Sequence, residues 1–146
     1  TALMMLAGFG MVVGNLTSGR LSDRYTPGKV GASVQGLICM ILLLIFFLAP
    51  YPWCAALLMA ACTAGLFAVS SPEQVSIIRV ATGGEMFGAA CVQVAFNLGN
   101  AIGAYCGGKV LHWGYQYPAL IGVPFALVGF ILLTRYYKKY ESQYYS

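Results

Sequence analysis

Charge is what this sequence has least of. Eight bases and four acids are spread over 146 residues, whereas soluble domains carry roughly 25% charged residues. So few ions cannot coat a surface that faces water, and a soluble globular domain is excluded. The four acids, Asp23, Glu73, Glu85 and Glu141, and the single His112 lie outside the middle of every long apolar run. A membrane hydrolase needs carboxylate, histidine or nucleophilic groups arranged within the bilayer, and none are arranged here, so an enzyme is not expected. The same absence means that no residue present can relay a proton through the membrane interior. Five cysteines (Cys39, Cys54, Cys62, Cys91 and Cys106) show neither a CxxC pair nor a histidine partner. They read as small buried packing residues rather than as a zinc site or disulfide framework, and no metal or cofactor is expected. The net charge of +4 comes without a basic cluster interleaved with aromatics, so nucleic acid is not an expected partner. No charged region precedes the first apolar run, and the chain is expected to begin inside a structure, as a fragment of a larger protein.

Long apolar runs fill the space that charge leaves. Hydrophobic residues make up 60% of the chain and its mean hydropathy is +0.77. A bilayer-crossing helix needs about 20 mostly apolar residues with every backbone group paired inside the segment. Five segments qualify, at about 1–18, 30–49, 53–71, 85–108 and 117–134, with a polar, tyrosine-rich tail over 135–146. The expected fold class is therefore all-α, a polytopic membrane protein of about five transmembrane helices in one membrane domain. Pro50-Tyr51-Pro52 reads as a tight turn, Ser71-Pro72-Glu73 as the end of the third segment, and Pro124 as a kink in the fifth. Links after the first, third and fifth segments hold seven bases: Arg20, Arg24, Lys29, Arg79, Arg135, Lys138 and Lys139. The other two links hold Lys109 alone. The positive-inside rule puts the first set, and hence the C-terminus, in the cytoplasm.

The first link carries a motif. Gly19-Arg20-Leu21-Ser22-Asp23-Arg24, closed by Gly28-Lys29, resembles the cytoplasmic signature loop of the major facilitator superfamily. Thr26 stands where that pattern has its second glycine, and Gly28 comes two places late. The superfamily repeats this loop between its helices 8 and 9. The resemblance therefore implies that the five segments are helices 8 to 12 of a twelve-helix fold, with the N-terminal half of the transporter as the missing partner. Gly14-Asn15-Leu16, the run Ala64-Gly65-Leu66-Phe67-Ala68 and the run from Ala95 to Gly108 are similar to drug and sugar exporters of the superfamily. They imply a multi-pass exporter of the cell inner membrane, proton-driven in its intact form, that moves small sugars or amphipathic compounds. The signature acid of the superfamily faces a helix N-terminus across the two halves and latches one state. By resemblance that role falls to Asp23, with Arg24 beside it.

Polar residues within the runs are the candidates for a substrate pathway. Gln93, Asn97 and Asn100 fall at 0°, 40° and 340° around one helix, on a single face. Amides in lipid are unfavourable unless paired, so this face is expected to look toward water or other helices. It either lines a pathway for a small-molecule substrate or serves as glue between helices. Asn15 in the first segment and Phe67 in the third are weaker candidates for the same pathway. Gly99, Gly103 and Gly107 form a stripe about a quarter-turn away and read as a packing face. Gly10, Gly14 and Ser18 repeat the spacing in the first segment, as do Ala56, Ala60, Ala64 and Ala68 in the third. The alternative to a transporter is a membrane scaffold whose small-residue stripes serve assembly alone. Five helices taken from twelve would leave such stripes uncovered beside the lipid bilayer, so the isolated fragment is expected to self-associate.

Overall fold

The computed structural model describes residues 2–141; Thr1 and the last five residues of the expected tail lie outside them. Helix α1 spans Ala2–Arg24, α2 Pro27–Leu48, α3 Pro52–Val80, α4 Glu85–Val110 and α5 Tyr117–Tyr136. A 3-10 turn, Leu111–Trp113, follows α4, and a π-helical turn, Tyr137–Glu141, follows α5. Among the described residues there is no strand, and the fold class is all-α. Helices α2 to α5 are long and apolar enough to cross a membrane. The sequence reading counts five spans. Helix α1 has the length, 23 residues, but its described part includes Asn15, Arg20, Asp23 and Arg24 and is not among the four.

The helices are longer than the apolar runs. Helix α1 continues past residue 18, so Arg20, Asp23 and Arg24 sit on helix rather than in a loop, and only Tyr25 and Thr26 connect it to α2. Pro27 does not block a helix there but starts one. At the first helical position its missing N–H costs nothing and its φ is already set.

The larger correction concerns α3. It does not end at Ser71-Pro72 but runs through Pro72 to Val80, leaving only residues 81–84 as the link to α4. In that link Gly83 takes φ 82°, a left-handed turn conformation that glycine adopts without strain. A proline inside a helix cannot donate to the carbonyl four residues back, which here is that of Ala68. The Ser18 hydroxyl of α1 donates to that carbonyl. Thus a neighbouring helix supplies the bond that the ring removes, as membrane helices require. Pro72 is fully buried and Ser18 is 4% exposed, so water cannot replace the serine. Ser18→Ala should cost about 1–3 kcal/mol, the penalty for an unsatisfied buried acceptor. A lowered thermal midpoint of the full-length protein in detergent would show it, and an unchanged midpoint would mean that the carbonyl is satisfied elsewhere.

Small residues set the packing of α1 on α3. A Cβ on Gly10 would touch the Ala64 methyl at 3.4 Å, and one on Gly14 would run into the Ala64 carbonyl. The glycine stripe of the first segment and the alanine stripe of the third are thus two sides of one contact. Helix α2 lies between α3 and α5, and Ile38, Cys39, Val69 and Ala126 form its buried cluster. Gln35 secures the same seam by donating its amide to the Ala126 carbonyl at 3.1 Å. Of the five cysteines only Cys39 is buried; Cys54 and Cys91 are exposed, against the expectation of buried packing for all. Both stand on faces that no other described helix covers.

Candidate functional site

Helices α1, α3 and α4 enclose a pocket of about 290 Å³. Asn15 reaches it from α1, Phe67, Ser70 and Gln74 from α3, and Gln93, Phe96 and Asn97 from α4. Four of the five pathway candidates, Asn15, Phe67, Gln93 and Asn97, therefore meet in one place. Asn100 does not: it shares the amide face of α4 but lies a turn beyond the pocket and is exposed.

The pocket has three kinds of surface. Phe67 and Phe96 meet edge to face at 6.3 Å and form its apolar wall. The Ser70 hydroxyl is spent locally, donating to the Phe67 carbonyl at 3.0 Å. The amides of Asn15, Gln74, Gln93 and Asn97 make no hydrogen bond among the described residues and are exposed. Gln35 shows what a structural amide looks like here, half-buried and bonded to a backbone carbonyl. The four pocket amides are the reverse, presenting free donors and acceptors around a cavity. No charged side chain lines it. Such a lining can hydrogen-bond hydroxyl, carbonyl and amide groups and can stack an apolar face, but it supplies no counter-ion.

Ser70, Gln74 and Phe96 were not candidates from sequence. Positions 67, 70 and 74 share one helix face by their spacing, but Gln74 is disqualified once Pro72 is taken to end the helix. Phe96 stands three residues after Gln93, at the edge of the amide face toward the glycine stripe, and an aromatic in an apolar run is indistinguishable from a lipid-facing one.

The glycine stripe of α4 is only partly covered among the described residues. A Cβ on Gly99 or Gly103 would meet nothing within 4 Å, and only Gly107 approaches another helix, its Cβ falling 3.6 Å from Pro118. Within the described residues Gly99 and Gly103 thus form an uncovered face, while Gly107 lies against α5.

At the signature segment Gly19 lies beside α3, where a Cβ would be 3.6 Å from the Ser71 hydroxyl. Asp23 and Arg24 are exposed, and neither has an ion pair among the described residues. The Lys29 ammonium sits 5.7 Å from the Tyr25 ring centre. Gly28 is buried, and its N–H donates to the Glu141 carboxylate at 2.7 Å. An acceptor at this position in the first turn of a helix is ordinarily the side chain of the preceding cap residue. Thr26, the cap residue of α2, makes no such bond, and Glu141 takes its place with a charge that suits the helix N-terminus. A carboxylate on a helix end is therefore present among the described residues, supplied by Glu141.

The model of the Major Facilitator Superfamily matches residues 1–144. AraJ of Escherichia coli (strain K12) is 43% identical over 98% of this chain and 36% of its own length. The inner membrane transport protein YdhP of the same strain is 36% identical over 91% of the chain and 34% of its own. The uncharacterized MFS-type transporter YfhI of Bacillus subtilis (strain 168) is 32% identical over 92% of the chain and 34% of its own. No solved structure gives a significant match. The chain spans about a third of the length of these relatives. With a match across nearly its whole length and the signature segment in place, the chain belongs to the Major Facilitator Superfamily.

Proposed function

We propose that these helices form part of a secondary exporter that moves small, uncharged, hydroxyl-bearing or amphipathic compounds through the pocket between α1, α3 and α4. The observation that carries this reading is the set of unpaired amides, Asn15, Gln74, Gln93 and Asn97, around a cavity with two aromatic walls and no charge. Alternating access would be a rocking of this half against an N-terminal half, opening the cavity to each side in turn. Asp23 would serve as the latch toward that half, since it is exposed and has no partner here. The uncovered Gly99 and Gly103 stripe would take part in the same assembly, or in self-association when the partner is missing. The protein would lie in the inner membrane with the basic ends of α1, α3 and α5 in the cytoplasm. Proton drive, if used, would rest on an acid outside these pocket residues.

Asn97→Ala and Gln93→Ala, measured in the full-length protein, test the pathway. Losing one bonded amide should lower the apparent affinity for a neutral sugar or amphipathic compound about tenfold, the equivalent of about 1.4 kcal/mol. Export with unaltered kinetics in the double variant would remove the pocket from the pathway and leave the scaffold reading.

A further inference from the structure

The opposite side of the molecule carries a second cavity, away from the amide pocket. It is an open cleft of about 500 Å³ between α2 and α5. Gly36, Cys39 and Phe130 make its floor, and Leu37, Met40 and Leu127 its exposed rim. Gly36 creates the depth: a Cβ there would stand 3.1 Å from the Phe130 ring, so the ring lies against bare α2 backbone. The cleft is nearly all apolar and has no amide comparable to those of the other pocket.

One end of the cleft is basic. Lys29, Ser33, Gly36 and Met40 follow one another along a single face of α2. The Ser33 hydroxyl donates to the Lys29 carbonyl at 2.9 Å, and Lys29 itself is exposed. At 1.5 Å per residue the cleft opens at Ser33, about 6 Å above Lys29, and ends at Met40, about 16 Å above it. Helix α5 runs antiparallel to α2: Tyr136 lies against Gly28, Leu133 against Gly31 and Phe130 against Gly36. This register brings Arg135, Lys138 and Lys139 to the same end as Lys29. Three acids share that end with these bases: Glu141 is held on the Gly28 N–H, Asp23 stands beside Arg24 at the end of α1, and Glu73 is half-buried on α3.

We infer that this cleft binds one anionic phospholipid, with its phosphate at Lys29, in the positive field of the bases at the end of α5, and one acyl chain along Gly36, Phe130 and Leu127. The depths match, since the ionic group sits at the membrane surface and the apolar trough begins just inside it. Charge complementarity selects the occupant: a zwitterionic lipid could fill the trough but would give the bases no net counter-charge. A second copy of the chain would have to bring its own bases against these.

The test uses the full-length protein purified from vesicles of phosphatidylglycerol and phosphatidylethanolamine in equal amounts, with retained lipid counted by mass spectrometry. Phosphatidylglycerol should be enriched among the retained molecules. Each base removed, by Lys29→Gln or Arg135→Gln, should lower that enrichment about fivefold. Ser33→Phe, which fills the mouth of the trough from an exposed position, should displace the lipid while leaving both bases in place. Retained lipid that mirrors the vesicle composition in the parent would overturn the inference. So would enrichment that survives both base substitutions, or a disulfide-linked dimer formed readily by Met40→Cys, which would mean that a second copy covers the cleft.

Discussion

Gly14→Leu should prevent the helices from assembling, and Gly14→Ala should destabilise them measurably. The reason is local and severe. Helix α1 crosses α3 so closely that even a methyl group at position 14 would overlap the Ala64 carbonyl. A backbone oxygen cannot rotate away as a side chain can, so the two helices must separate. Overpacking costs about 1–3 kcal/mol, offset in Gly14→Ala by up to about 1 kcal/mol of improved helix propensity. A leucine adds more atoms in the same gap, and a loss beyond about 3 kcal/mol takes up much of the 5–15 kcal/mol that holds a typical fold together. Separation would also pull Ser18 from the Ala68 carbonyl and open the Asn15 wall of the pocket. Gly8 is the control: the same helix, but nothing within 4 Å of a Cβ. Size-exclusion profiles of tagged full-length protein should show Gly8→Ala as a single species and Gly14→Leu as aggregate or low yield. Equal profiles would mean that the close approach is not obligatory.

That contact explains which parts of the structure could be read in advance. Residues four apart share a helix face whatever the tertiary fold, so the stripes Gly10, Gly14, Ser18 and Ala60, Ala64, Ala68 were visible in sequence, as was the amide face of α4. Partner choice was not. The α1 and α3 stripes meet, whereas Gly99 and Gly103, which look equivalent in sequence, meet nothing among the described residues. Periodicity describes one helix at a time, while contact depends on two. Proline misled for the same reason: Pro72 signals a break only when its freed carbonyl has no other donor, and the donor, Ser18, lies 50 residues away. Reading Pro72 as an end removed Gln74 from the candidate site, although the spacing from Phe67 would have included it. Glu141 was invisible as a cap for α2 because it approaches from 113 residues away.

Ser70→Trp should abolish transport while leaving the protein folded and inserted. Ser70 lines the amide pocket between Phe67, one turn before it, and Gln74, one turn after. Its hydroxyl bonds only within its own helix, to the Phe67 carbonyl, so no partner on α1 or α4 loses a bond when it is replaced. An indole there would project into space already present, about 290 Å³, beside the Phe67 and Phe96 rings, which meet edge to face. The substitution therefore removes room for substrate without removing helix packing. If solute passes through this cavity, export should fall by at least about tenfold, the equivalent of about 1.4 kcal/mol or more lost from binding. Ser70→Ala should transport nearly as the parent does, because it deletes one intrahelical bond and adds no bulk. The pair separates blockage from loss of the hydroxyl: an equal fall in both would assign the effect to Ser70 itself, and undiminished export with the indole in place would show that substrate takes another route.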